Sequence, residues 1–266
     1  MSVASLDTFI EESRYGGKAA QLHRAIAAGL PVPDGLAVSH DAVARADAAL
    51  FDEIAARIPL AEGVAVRSSA VGEDSAVASF AGQHATVLGV TSRAALEEAV
   101  HEVRASADSP AARAYRRKLG IDTAPRIGVV VQRMIDADVA GVLFTRDPVT
   151  GDDVRVIEAS WGLGESVVAG IVTPDRFRVA RGGRVLAREP GEKDRAIRLA
   201  PDRRGTVEVD VPAHRVAALC LDDAALAALD VLATRCEAYL GRAADIEFAF
   251  AGGTLRLLQC RAITRG

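Results

Sequence analysis

A two-lobed α+β architecture is the fold class this sequence predicts, and three observations predict it. Segments with helical period and segments with strand period are both present, but they do not alternate strictly as a doubly wound parallel sheet requires. The chain has 266 residues, half of them apolar, enough to bury one large or two medium cores. Asp245 to Phe250 and Thr254 to Ile263, flanking Ala251-Gly252-Gly253, read as a β-hairpin.

Taken in chain order, Gly16-Gly17-Lys18 precedes the apolar positions Ala19, Leu22, Ile26 and Leu30. A helix is therefore expected over 18–28, with a glycine-rich turn delivering Lys18 to its first turn. A second helix is expected over 41–56, and Val64-Ala65-Val66-Arg67-Ser68-Ser69 reads as a buried strand running into a polar turn. Ser92 is a suitable cap for a helix over 92–107 that places Leu96, Val100 and Val103 on one face. Residues 110–119 suggest a further short helix. Strand-like runs follow at 127–132, 139–145, 154–159 and 177–180, with Asp152-Asp153 and Gly182-Gly183 as turns. The polar stretch 188–212 reads as a long loop or an irregular hairpin. The clearest helix covers 222–240, with Leu226, Leu229, Leu232, Ala233, Cys236 and Leu240 apolar and Gly241 ending it. The lobes divide near residue 132, giving 1–132 and 133–266.

Three places carry chemistry. In the hairpin, Glu247, Gln259 and Arg261 share one parity and can face the same side. A three-residue turn would put Glu247 diagonal to Gln259, within reach of one divalent ion, whereas a two-residue turn would separate them. A carboxylate plus an amide oxygen is hard-oxygen ligation suited to Mg²⁺ carrying nucleotide phosphates, and a guanidinium beside them suits a phosphoryl oxygen. The alternative is a set of polar residues on the wet face of a hairpin. Lys18 is one of only three lysines against twenty-nine arginines. At a helix N-terminus it adds a full charge to backbone N–H groups that attract phosphate. Finally, Arg67 at a strand end would point into a cleft, and residues 68–83, short on large apolar side chains except Phe80, let backbone amides approach phosphates closely. Their alternative is a surface loop.

Other functions are excluded or weakened. No apolar run reaches the roughly 18 to 20 residues of a membrane span. Residues 1–14 carry acids and lack the basic start of a secretory signal. Cys220, Cys236 and Cys260 are odd in number and widely spaced, which argues against a disulfide framework or a zinc knuckle and suits a reduced cytoplasm. A net charge of -4 gives no general pull toward nucleic acid. The five histidines show no metal-ligand spacing, Ser68-Ser69 lacks a nucleophile elbow, and Gly162-Leu163-Gly164 lacks the third glycine of a dinucleotide fingerprint.

With these residues in view, the chain resembles the N-terminal ATP-grasp nucleotide-binding domain of the phosphoenolpyruvate synthase and pyruvate phosphate dikinase family, which includes rifampin phosphotransferases. The matching pieces are Gly17-Lys18 with residues 29–35, Val66-Arg67-Ser68-Ser69 with Glu73-Asp74 and residues 79–83, and Val131-Gln132-Arg133-Met134. They continue with residues 140–145, 147–151 and 161–165, Thr173-Pro174-Asp175, Asp245-Ile246-Glu247 and Leu258-Gln259-Cys260-Arg261. The order and spacing hold from about residue 16 to residue 264. The resemblance implies that Lys18 and Arg67 contact ATP phosphates and that residues 72–82, including Ser79, Phe80, Ala81 and Gly82, form the phosphate loop. It further implies that Glu247 and Gln259 hold magnesium and that Arg261 assists the transferring phosphoryl group. Gln132, Met134 and Ile135 would lie along the adenine as the hinge between two lobes, with Glu165 a candidate for the ribose. ATP and Mg²⁺ are thus the implied cofactors.

Full-length members of that family carry a further domain whose histidine takes the phosphate, and no histidine here sits in that context. One expectation is therefore an ATP-binding phosphotransferase component that phosphorylates a histidine on a separate partner protein, releasing AMP and phosphate. A second is a stand-alone kinase acting on a small molecule and releasing ADP, and a third is a nucleotide-binding module without catalysis. Retention of Lys18, Arg67, Glu247, Gln259 and Arg261 together counts against the third, because a scaffold needs none of them.

Overall fold

The computed structural model describes residues 2–72, 74–75, 78–79, 85–110, 113, 117 and 125–263, and these divide into two compact units. The first comprises 1–27, 33–134 and 200–205, and the second comprises 28–32, 135–199 and 206–266. Both mix helices with antiparallel sheet, the α+β class expected.

The first unit is built on a five-stranded sheet of order β1-β2-β7-β3-β6. Its strands are β1 (Val3–Ser5), β2 (Gly35–Val38), β3 (Val64–Ala70), β6 (Thr86–Val90) and β7 (Ile127–Arg133). The pair β4 (Asp74–Ser75) and β5 (Ala78–Ser79) lies outside this sheet. Every pairing in the sheet is antiparallel. Valine-rich β7 lies at the centre because its backbone pairs on both edges with β2 and β3 and its β-branched side chains suit a pleated, doubly covered surface. Strand alternation sends Val64, Val66, Val129 and Val131 into a core with Phe51, Ile54, Leu96, Val100 and Val103 from the helices Ala48–Arg57 and Arg93–Ser106. It also gives Arg67, Ser69 and Gln132 to the opposite face, since Arg67 pairs with Val130 and Ala65 with Gln132.

Most helices fall where periodicity placed them. Ser92 caps Arg93–Ser106 by accepting from the Ala95 amide at 3.2 Å, and Gly241, left-handed at φ 68°, ends Asp223–Leu240. The helix expected over 41–56 is instead two, His40–Arg45 and Ala48–Arg57. Asp47 starts the second by accepting from the Leu50 amide at 3.0 Å, and Ala46 turns left-handed at φ 46° to end the first. An aspartate's preference for the N-cap overrides the continuous apolar period. The short helix expected over 110–119 falls almost wholly outside the described residues.

The second unit contains a six-stranded antiparallel sheet of order β11-β10-β9-β8-β14-β15. Its strands are β8 (Val139–Phe144), β9 (Val154–Trp161), β10 (Asp175–Ala180), β11 (Val185–Glu189), β14 (Ala244–Ala251) and β15 (Thr254–Ala262). Within the stretch 188–212, expected as a long loop or irregular hairpin, β12 (Arg195–Leu199) pairs with β13 (Thr206–Asp210) in unbroken antiparallel register, and residues 188–189 end β11. One face of the large sheet buries Leu143, Ile157, Phe177, Ile246, Phe248 and Cys260 beneath the helix Asp223–Leu240. Fully buried Arg155 fastens that helix by donating to Asp230 at 3.1 Å, with Glu237 3.0 Å away and the Thr145 carbonyl accepting at 2.9 Å. Among the described residues no helix is long and apolar enough to cross a membrane.

Candidate nucleotide site

In the first unit, Lys18 is the second residue of the helix Gly17–Ala27 and is 8% exposed. What brings this helix start against the sheet is Gly16, whose φ is 85° and where any Cβ would fall 1.9 Å from the Ser69 carbonyl oxygen. Only glycine tolerates both the backbone angle and the approach. Ser69 Oγ accepts from the Ala19 amide at 3.0 Å, so the end of β3 satisfies one of the helix's otherwise unpaired donors. Two residues earlier on the same face, Arg67 donates from Nη1 to Gln132 Oε1 at 3.3 Å. The Gln132 amide in turn donates to the Pro33 carbonyl at 3.0 Å, which fixes its flip and presents its oxygen to the guanidinium. Sequence-distant Arg67 and Gln132 are thus brought together, and both are buried.

Met134 follows β7 with its amide donating to the Gly63 carbonyl at 3.1 Å, while Ile135 opens the segment 135–199 of the second unit. Ser79 lies in β5, registered opposite Asp74 in β4. Phe80, Ala81 and Gly82 lie outside the described residues.

In the second unit, the hairpin differs from either form the sequence allowed. The turn is the two-residue Gly252-Gly253, with φ of 53° and 73°, and Ala251 pairs with Thr254. Positive φ at both positions is what a turn matched to strand twist requires. Uninterrupted, this register would set Glu247 opposite Leu258. A bulge between Glu247 and Phe248 shifts the pairing by one residue, so that Glu247 sits directly opposite Gln259 and Asp245 opposite Arg261. The expected separation by a two-residue turn is therefore corrected by an extra residue in β15.

Arg261 is held in place: its Nε donates to Asp245 Oδ2 at 2.8 Å, and Nη2 lies 2.7 Å from the same oxygen. Burial raises the Asp245 pKa, opposed by Arg261 and reinforced by neighbouring Glu247. Asp245 is a residue to which sequence reasoning gave no role. Its signal was available, because position i−2 from Glu247 on a strand shares its face. Further along, Glu247 is in register with Val142 of β8, Val142 with Glu158 of β9, and Glu158 with Arg176 of β10. Glu165 opens the short helix Glu165–Val168 half-buried, accepts from Thr206 Oγ1 at 3.5 Å, and has its pKa raised by burial. Arg215 lies 3.9 Å over the half-buried ring of Trp161, whose Nε1 donates to the Arg215 carbonyl at 3.1 Å.

Among the described residues, no group of three or more His, Cys, Asp or Glu side chains could hold a metal ion. Glu247 facing Gln259 nonetheless fits Mg²⁺ delivered with a nucleotide. That ion takes one or two protein ligands and completes its octahedron with phosphate oxygens and water.

A family model described as pyruvate phosphate dikinase, AMP/ATP-binding domain, matches residues 47–266. The chain belongs to this family. Lys18 and its glycine turn precede the matched span. A rifampicin phosphotransferase of Streptomyces sviceus is 41% identical over 72% of this chain and 22% of its own length. A probable phosphoenolpyruvate synthase of Methanothermobacter thermautotrophicus is also 41% identical, over 72% of this chain and 28% of its own length. The chain thus spans about a quarter of the relatives it matches. The solved structure of D-alanyl-alanine synthetase A from Vibrio cholerae aligns with a TM-score of 0.45 at 10% identity, covering 94% of this chain and 56% of that one. One of these relatives is named a phosphotransferase, and the family model describes an AMP/ATP-binding domain.

Proposed function

We propose that this chain binds Mg-ATP and supplies the phosphoryl-donating half of a phosphotransferase, whose acceptor is a histidine on a separate protein. The observation that carries this reading is the bulged hairpin, which sets a carboxylate, an amide oxygen and an anchored guanidinium on one sheet face in a member of an AMP/ATP-binding family. Bound Mg²⁺ would neutralise charge on the β- and γ-phosphates. Glu247 and Gln259 would hold it, and Arg261, oriented by Asp245, would meet the charge that develops on the transferring phosphoryl oxygens. Lys18 and Arg67 would contact the phosphates, Gln132, Met134 and Ile135 would line the adenine, and Glu165 would address the ribose. Such chemistry needs positioning and electrostatic stabilisation rather than a protein nucleophile.

The similarity to a rifampicin phosphotransferase favours a second acceptor class, a small molecule phosphorylated as the net outcome. Identification of the product separates the two: AMP formed only with a histidine-bearing protein supports the first, and ADP formed with a small acceptor alone supports the second.

Calorimetric titration with ATP, with and without magnesium, tests the reading. Tight binding that depends on magnesium is expected, and Glu247→Gln should abolish the magnesium dependence while leaving residual metal-free binding. A Glu247→Gln protein with normal magnesium-dependent affinity and turnover would remove Glu247 from the metal site. Lys18→Ala should weaken ATP binding by roughly tenfold or more through loss of one charge-assisted contact. Equal affinity in the variant would withdraw Lys18 from the phosphate site.

A further inference from the structure

Cys236 lies on the helix Asp223–Leu240 and is fully buried, and Cys260 lies on β15 and is 4% exposed. Both thiols are free, and they are in hydrogen-bond contact with each other across the interface between helix and sheet. Cys260 pairs with Ile246 on the helix-facing side of the hairpin, so its two chain neighbours, Gln259 and Arg261, point to the opposite face with Glu247 and Asp245. Two thiols already in contact need only a two-electron oxidation to be joined, while Cys220 sits apart beside Asp175.

We propose that Cys236 and Cys260 are a modification site, a reversible disulfide formed by peroxide-class oxidants, which couples the redox state of the protein to the strand bearing Gln259 and Arg261. Cys260, the less completely buried of the two residues, attacks one peroxide oxygen as its thiolate. The O–O bond breaks, hydroxide leaves and takes up the thiol's proton as water, and Cys260 becomes a sulfenic acid. The Cys236 sulfur then attacks Cys260, expels the second oxygen as water and closes the S–S bond. Overall, two thiols and one hydrogen peroxide give one disulfide and two waters. A dithiol reductant reverses it by exchange.

Closing the bond brings the sulfurs to about 2.05 Å. Because interiors are close-packed, drawing the sulfurs together is felt by the β15 backbone that carries Gln259 and Arg261.

The test is thiol counting on the full chain treated with hydrogen peroxide, unfolded in denaturant and alkylated. The untreated chain has three thiols. Treatment should leave one, with a mass loss of about two hydrogens and a cross-linked peptide pair containing Cys236 and Cys260. Three remaining thiols, a cross-link involving Cys220, or oxygen addition without cross-linking would overturn the proposal. The coupling to the strand rests on the nucleotide-binding reading above. There the oxidised protein should bind Mg-ATP at least threefold more weakly, recover with dithiothreitol, and show no such change in Cys236→Ala. A disulfide with unchanged affinity would overturn the coupling, whereas absence of ATP binding in the reduced protein would count against the nucleotide reading and leave the thiol result standing.

Discussion

Asp175→Ala is expected to cost about 3–5 kcal/mol of stability, the penalty for removing one partner of a buried ion pair. Asp175 and Lys193 are both fully buried and bonded to each other. The carboxylate also accepts from the Gly191 amide at 2.8 Å and the Cys220 amide at 2.7 Å, so it gathers two segments, the loop 190–194 and the chain at Cys220, around the start of β10. Alanine leaves an ammonium without its counter-charge and two backbone donors without acceptors. For a chain of this size the unfolding midpoint should fall by roughly 10 °C. Combining the change with Lys193→Met should recover much of the loss, because an apolar pair of similar volume carries no desolvation penalty. Thermal and urea unfolding of the single and double variants check both statements, and a double variant as unstable as the single would show that the lost amide contacts, not the stranded charge, carry the cost.

This anchor also shows where sequence reading stops. Thr173-Pro174-Asp175 was visible as a motif, but strand parity alone cannot reveal that its aspartate turns inward to meet a lysine eighteen positions later. Pairing of that kind is decided by how the loop 190–194 folds back, which no local pattern encodes. The hairpin divides the same way. Its two strands, its glycine turn and the shared face of Glu247, Gln259 and Arg261 follow from alternation, while the bulge that puts Glu247 opposite Gln259 follows from a mismatch between turn length and sheet registry. The helix break at Ala46-Asp47 was locally legible, since aspartate is a strong cap, yet the continuous apolar period concealed it. Within the first unit the glycine turn before Lys18 was readable as a helix start. Its dependence on Ser69 was not, because the two lie fifty residues apart.

Arg67→Ala should weaken ATP binding by about 1.5–3 kcal/mol, roughly ten- to 150-fold in Kd, if its guanidinium grips phosphate. The substitution has a second consequence in the structure: Gln132 Oε1 loses its donor, although its amide keeps the Pro33 carbonyl. A weakened Kd alone would therefore not separate a phosphate contact from a disturbed Gln132. Adenosine, which has no phosphates, separates them. Loss of a phosphate contact should leave adenosine affinity unchanged while ATP affinity falls, whereas a displaced Gln132 should lower both together if that side chain lines the base. Arg67→Lys sharpens the distinction, since an ammonium retains the charge but not the planar fork that meets two oxygens at once. ATP affinity between those of the wild type and the alanine variant is expected for it. Calorimetric titrations of both ligands against the three proteins would measure this, and equal losses for ATP and adenosine in Arg67→Ala would reassign Arg67 to holding Gln132 rather than the nucleotide.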